Sequence, residues 1–141
     1  MKIYQEIIEI KTSGKCLHNI TPKIKQVVID SEITTGLCTV FLLHTSASLI
    51  IQENADPDVL ADLTNFFSKL VPENNNDYLH SAEGVDDMPS HIRSVLTSTS
   101  ENIIIRQGKL LLGTWQGLYL WEHRMRSHIR QVAIHIQGNK N

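Results

Sequence analysis

The residues best equipped for chemistry crowd into one stretch, Tyr78 to Leu96, which reads Y-L-H-S-A-E-G-V-D-D-M-P-S-H-I-R-S-V-L. It sets two histidines (His80, His91) and three acids (Glu83, Asp86, Asp87) around one glycine and one proline. Such side chains can bind metals and transfer protons. The second half predicts a helix start. Asp87 or Ser90 can cap the free amides, Pro89 suits a first-turn position, and Ile92, Val95 and Leu96 form a short apolar stripe. On that reading His91 lies in the first turn, where exposed amides and the helix dipole favour an anion. The plain alternative is a polar loop leading into a capped helix.

The elements that must position these groups follow from periodicity. Met1 to Thr12 predicts a strand with Tyr4, Ile8 and Ile10 inward, and a short strand follows around Cys16 to Asn19. Thr21 as N-cap and Pro22 open a helix to about Glu32, with Ile20, Ile24, Val27 and Val28 as its stripe. Leu37 to His44 is apolar on both faces and predicts a central strand covered on both sides. His44 closes it, where loops commonly display working side chains; its alternative role is a hydrogen bond to a neighbouring carbonyl. Ala47 to Gln52 is the next strand. Asp56 and Pro57 then open the clearest helix, whose stripe of Leu60, Leu63, Phe66, Phe67 and Leu70 reads as core.

The last third reads as β: Asn102 to Arg106, a turn at Gln107-Gly108-Lys109, Leu110 to Leu112, a glycine-marked interruption at 113–117, and Val132 to Ile136, with His135 on the surface. The sum is a single α+β domain over residues 1–141, a mainly antiparallel sheet or sandwich with about three helices. Net charge is −2, with 41% hydrophobic and 20% charged residues, so no basic field points to nucleic acid or an anionic membrane. No run approaches the ~20 apolar residues of a membrane span, and the first residues lack a signal-peptide core. Cys16 and Cys38 match neither zinc nor redox spacing and read as reduced packing residues of a cytoplasmic protein.

Three blocks carry a resemblance. H-T-S-A-S-L-I-I-Q-E-N-A-D-P-D-V (His44 to Val59), H-S-A-E-G-V-D-D-M-P-S-H-I (His80 to Ile92) and G-T-W-Q-G-L-Y-L-W-E-H-R (Gly113 to Arg124) resemble the signature blocks of the YjbQ family, described as secondary thiamine-phosphate synthases. The resemblance runs almost end to end. It implies a compact α+β homotrimer with a histidine-rich site near subunit contacts and a weak ability to join the two halves of thiamine phosphate. Where similar proteins have glycines, between Arg124 and Arg130, this chain reads M-R-S-H-I, so no role is carried onto Arg126 or His128.

His44, His80 and His91 all fall inside the blocks. With the resemblance, they are expected to ligate a divalent metal, zinc or magnesium, in an open catalytic site, with Glu53, Asp56 or Glu83 orienting the rings. A polar cluster without metal is the alternative. Joining hydroxymethylpyrimidine diphosphate to thiazole phosphate releases pyrophosphate and needs little proton transfer, so electrostatics and positioning dominate. The metal, the helix start at His91, and Arg124 or Arg130 are candidates for the phosphates. Trp115 could stack on a ring, and Glu122, Asn54 or Gln116 could bond the aminopyrimidine. Trp115 as core and Arg124 as a surface or interface charge are the alternatives. Two other classes stay open: a metal-dependent hydrolase of small phosphoesters using Glu83 or Glu53, and a non-catalytic binder of a phosphorylated metabolite.

Overall fold

The structure, a computed structural model, describes residues 1–141. In chain order the elements are β1 (Lys2–Lys11), β2 (Cys16–Asn19), α1 (Thr21–Ser31), β3 (Thr35–Leu42), β4 (Ala47–Glu53), α2 (Pro57–Leu70), α3 (Asp87–Leu96), β5 (Ser100–Arg106), β6 (Lys109–Leu110), β7 (Gln116–Glu122) and β8 (Ile129–Asn139). The strands form two antiparallel sheets, ordered β1-β8-β3-β5-β6 and β2-β7-β4. The expected α+β class with three helices is what forms.

Alternation decides which residues fill the core. Ile10 of β1, Cys38, Val40 and Leu42 of β3, Ile103 and Ile105 of β5, and Val132, Ile134 and Ile136 of β8 are buried together with Leu49, Leu118 and Leu120 of the smaller sheet. Helix α1 adds Ile24, Val27 and Val28 to that core, as its stripe predicts. Its cap differs from expectation. Thr21 is the first helical residue, and Asn19 Oδ1 accepts its N–H at 3.1 Å. The Thr21 hydroxyl is drawn instead onto β7, where it accepts the Leu118 N–H at 2.8 Å. Gly36 and Gly138 face each other across β3 and β8, and a Cβ on Gly36 would lie 2.1 Å from the Gln137 carbonyl oxygen. Only glycine allows that approach.

Four expectations are corrected. β3 is central, but only one of its faces is covered by the chain: Phe41 is 46% exposed on the other. On α2, Asp56 caps the Asp58 N–H as expected, yet no residue of the helix is buried, and Phe66 and Leu70 lie open. Phe67 alone reaches inward to an aromatic, edge-on to Trp121 at 5.0 Å. α3 is turned over relative to its apolar stripe, for Val95 is 83% exposed while Asp87, Ser90, Arg93 and Ser94 are buried. Specific partners outweigh hydropathy there: Ser94 Oγ donates to the Ala47 carbonyl at 3.0 Å and Arg93 Nη2 to the Val71 carbonyl at 2.8 Å. Cys16 is exposed rather than packed, and both cysteines are free.

Candidate metal-capable site

The stretch rich in histidines and acids folds back on itself. Gly84, at φ +111°, reverses the chain in a conformation open to glycine, and its N–H donates to the Ser81 carbonyl at 3.4 Å. The reversal brings His80 over the start of α3. Asp87 and His91 sit one helical turn apart there, the i,i+4 spacing that puts two side chains on one face. The result is a group of His80, Asp87 and His91 whose ligand atoms all lie within 4.8 Å of one another. His80 Nε2 contacts Asp87 Oδ2 directly, His91 Nε2 lies 3.5 Å from the same oxygen, and the two rings are edge-on at 5.4 Å.

His91 and Asp87 are held from behind. His91 Nδ1 lies 2.9 Å from the Thr45 carbonyl oxygen, which can only accept. The ring therefore carries a proton on Nδ1 and turns Nε2 toward Asp87. Arg124 anchors the carboxylates: Nη1 donates to Asp87 Oδ1 at 2.7 Å, Nε to Asp86 Oδ2 at 3.0 Å, and Nη2 to the Glu83 carbonyl at 2.8 Å. The Met125 N–H adds a further bond to Asp86 Oδ2 at 2.9 Å. Burial alone would raise both Asp pKa values. For Asp86 the Met125 amide and Arg124 outweigh it, for Asp87 the His80 bond and Arg124, and both carboxyls are held below the usual range. Asp87 is thus anionic with one oxygen on Arg124 and the other aimed at two imidazoles. Two histidines and a carboxylate with positions left open fit a zinc- or iron-type ion better than magnesium, which prefers an all-oxygen shell. A cavity of about 490 Å³ adjoins His80, lined in part by Glu73, Asn75, Tyr78, Gly84 and Met88, with no lysine or arginine in its walls.

The expected three-histidine centre is not what assembles. His44 stands outside this group: its Nε2 accepts the Gln131 N–H at 2.8 Å, and burial with Arg130 nearby lowers its pKa, so the ring is neutral and spoken for. Asp87 takes the third place. The sequence signal for it was the Asp87/His91 spacing, not histidine identity. His91 also lies in the second turn, because Asp86 rather than a later residue precedes the helix.

Other candidates scatter. Glu122 and Arg130 form a buried ion pair in which Arg130 Nε donates to Glu122 Oε1 at 2.8 Å, Nη2 contacts Oε2, and Thr12 Oγ1 donates at 2.7 Å. That pair is interior structure, its two charges committed to each other. Arg124 is neither a surface charge nor a free phosphate ligand but the clamp just described. Glu83 keeps an exposed carboxylate 3.9 Å from His80 Nε2. The remaining group gathers at the far end of β4 and β7, where Glu53 pairs with Gln116. There Asn54 Nδ2 donates to the Thr114 and Gln116 carbonyls, Gln116 Oε1 accepts the Gly113 N–H, the Glu53 carboxylate accepts the Ala55 N–H, and Asp56 caps α2. Trp115 is exposed rather than core. β4 runs from Ala47, bonded by Ser94 of α3, to Glu53 at this far end, about 20 Å at ~3.3 Å per residue. None of these residues joins the His80, Asp87 and His91 group within this chain. His128, left without a role, turns its Nδ1 to the Arg126 carbonyl at 2.8 Å. His123, not singled out by its position in a strand-end run, is fully buried with Nε2 2.8 Å from Ser48 Oγ, and burial drives its pKa down to about 3.

Residues 6–139 match the family described as UPF0047 protein YjbQ-like. The chain belongs to this family. It is 64% identical over 135 residues to the UPF0047 protein sll1880 of Synechocystis, a match covering 96% of this chain and 92% of that protein. It is 44% identical over 136 residues to the UPF0047 protein YjbQ of Salmonella typhimurium, covering 96% and 98%. A crystal structure of a YjbQ/UPF0047 family protein from Clostridium acetobutylicum superposes with a TM-score of 0.86 at 38% identity, covering 94% of this chain and 99% of that one. A YbjQ-like protein of Sulfolobus solfataricus, at 22% identity and a TM-score of 0.85, shares the fold. No helix of the chain is long and apolar enough to cross a membrane.

Proposed function

We propose that this chain holds a divalent metal, zinc in preference to magnesium, at His80, Asp87 and His91 and acts there as a weak thiamine-phosphate synthase. The supporting observation is the convergence of two imidazoles and an anionic carboxylate, with His91 and Asp87 each oriented by a second contact, beside a cavity large enough for a small heterocyclic metabolite. A metal ion in that position supplies positive charge for the pyrophosphate leaving group. The cavity walls offer no cation of their own, so an ion is the natural counter-charge. The chain's residues do the positioning. Arg124 fixes the direction of Asp87, the Thr45 carbonyl fixes the His91 tautomer, and Tyr78 and the Asn75 amide line the space for the pyrimidine and thiazole rings.

In the same reading the protein works in the cytoplasm as a homotrimer. The uncovered outer face of the larger sheet, with Ile3, Ile7, Phe41 and Ile104 exposed, supports self-association, and a neighbouring copy is the one route by which Glu53, Asn54, Asp56, Trp115 and Gln116 could approach His80. One observation favours a second reading. Exposed Glu83 beside His80 could act as a base on water, giving a small phosphoester hydrolase.

The test is elemental analysis of purified protein and of His91→Ala, with synthase assays on hydroxymethylpyrimidine diphosphate and thiazole phosphate. We expect stoichiometric metal in the parent, with metal and activity lost together in the variant while the fold is kept. Full metal content in His91→Ala, or synthesis that survives a chelator, refutes the reading. Chelator-sensitive turnover of p-nitrophenyl phosphate without synthesis favours the hydrolase.

A further inference from the structure

A second, smaller cavity, about 50 Å³ and lined by none of His80, Asp87 or His91, lies among β7, α2, α3 and the start of β2. A water needs roughly 10–15 Å³ of such space, so there is room for about three or four water-sized atoms, the size of a tetrahedral oxyanion. Its walls include Lys15, Thr64, Ser68, Arg93, Trp121 and His123. Arg93 is 4% exposed. Its Nη2 is used on the Val71 carbonyl, but its buried Nε–H has no partner in the protein. A charged donor left unmade in dry protein is costly, so an acceptor is expected to meet it.

The charges point the same way. Two cations, Lys15 and Arg93, share a single carboxylate, since Glu73 Oε1 contacts Lys15 Nζ and lies 3.8 Å from Arg93 Nη1. Glu122, also in the wall, is already neutralised by Arg130. His123 adds no charge at neutral pH, its ring being held neutral by burial and by Arg93. Burial and then Arg93 lower the Lys15 pKa against the opposing pull of Asp86, so the ammonium is not fully offset where it stands.

We propose that this pocket binds a small oxyanion, a free phosphate or the phosphate end of a monoester, on Arg93 Nε and Lys15 Nζ, with the Ser68 and Thr64 hydroxyls beside them. The site is independent of the metal reading and is tested apart from it.

The test follows the Arg93 Nε–H and Trp121 indole resonances of the intact protein by NMR during titration with inorganic phosphate, and in parallel with glycerol phosphate. We expect both resonances to move saturably with at least one of the two anions. Saturation by inorganic phosphate alone marks a free-anion site; saturation by glycerol phosphate as well, or alone, marks a monoester end. Lys15→Met, at a partly exposed position, should weaken binding by about tenfold or more. His91→Ala should leave binding unchanged, so that failure of the metal site and failure of this pocket are told apart. Resonances that stay still up to tens of millimolar of both anions, or that respond equally in Lys15→Met, overturn the proposal.

Discussion

Replacing Arg124 with Met should show how much of the site depends on one guanidinium. The change keeps most of the aliphatic stem and removes three donors, two of them to carboxylates that are themselves buried, Asp86 at 4% and Asp87 at 1% exposure. Removing one partner of a buried ion pair costs about 3–5 kcal/mol, because the other charge is left unpaired. For a domain of this size each kcal/mol moves the melting temperature by about 3–4 °C, so the variant should melt about 10–20 °C below the parent at neutral pH. The sign of the pH dependence is fixed by the two aspartates. Their folded pKa values lie below the ordinary carboxylate value, so their contribution is full above about pH 5 and is lost as pH falls through the folded values. Parent and variant melting curves should therefore converge in acid, once the pH has fallen below the folded values of the two aspartates. Calorimetry across that range is the assay, with a zinc competition titration alongside it. Loss of the group that orients Asp87 should weaken metal binding by about 10–100-fold. A melting temperature within about 3 °C of the parent at neutral pH, or a gap that persists in acid, would falsify the clamp.

Two further outcomes follow from the interior. His123 is held at about 3 against an ordinary 6.5, so the unfolded chain takes up a proton below pH 6.5 that the folded chain refuses. Stability is full above that value and should fall by about 3 kcal/mol by pH 4 from this residue alone; in His123→Gln, urea unfolding should lose that slope, and an unchanged slope would count against a buried neutral ring. Gly36→Ala would press a methyl group to 2.1 Å from the Gln137 carbonyl oxygen, so the β3–β8 ladder must give way. Denaturant unfolding should show a loss of about 1–3 kcal/mol, and a midpoint equal to the parent's would show that the strands part freely.

Much of the fold was legible because it is decided locally. The alternation in Met1 to Thr12, the Thr21-Pro22 helix start, the Asp56-Pro57 cap and the Gln107-Gly108 hairpin each state a preference that neighbours in the chain satisfy, and the elements formed within a few residues of where those signals place them. Hydropathy misled on α3. Its apolar residues mark a face, but the face that packs is the one where Ser94, Arg93 and Asp87 find partners on β4, on Val71 and on Arg124, none of which lies nearby in sequence. It misled on α2 for a related reason, since its stripe of leucines and phenylalanines meets little of the rest of the chain.

The site divides in the same way. The sequence by itself determined the family, the fold class and the stretch from His80 to His91, because spacing and residue type carry those and need no knowledge of what lies across the fold. Only the tertiary structure decided which members of that stretch converge. It put Asp87 in the place expected for His44, committed Glu122 and Arg130 to each other, turned Arg124 inward as a clamp, and left Glu53 and Gln116 a strand's length away. The physical reason is that a side chain's pKa, tautomer and free lone pairs depend on groups within a few ångströms, and folding chooses those neighbours from residues tens of positions away.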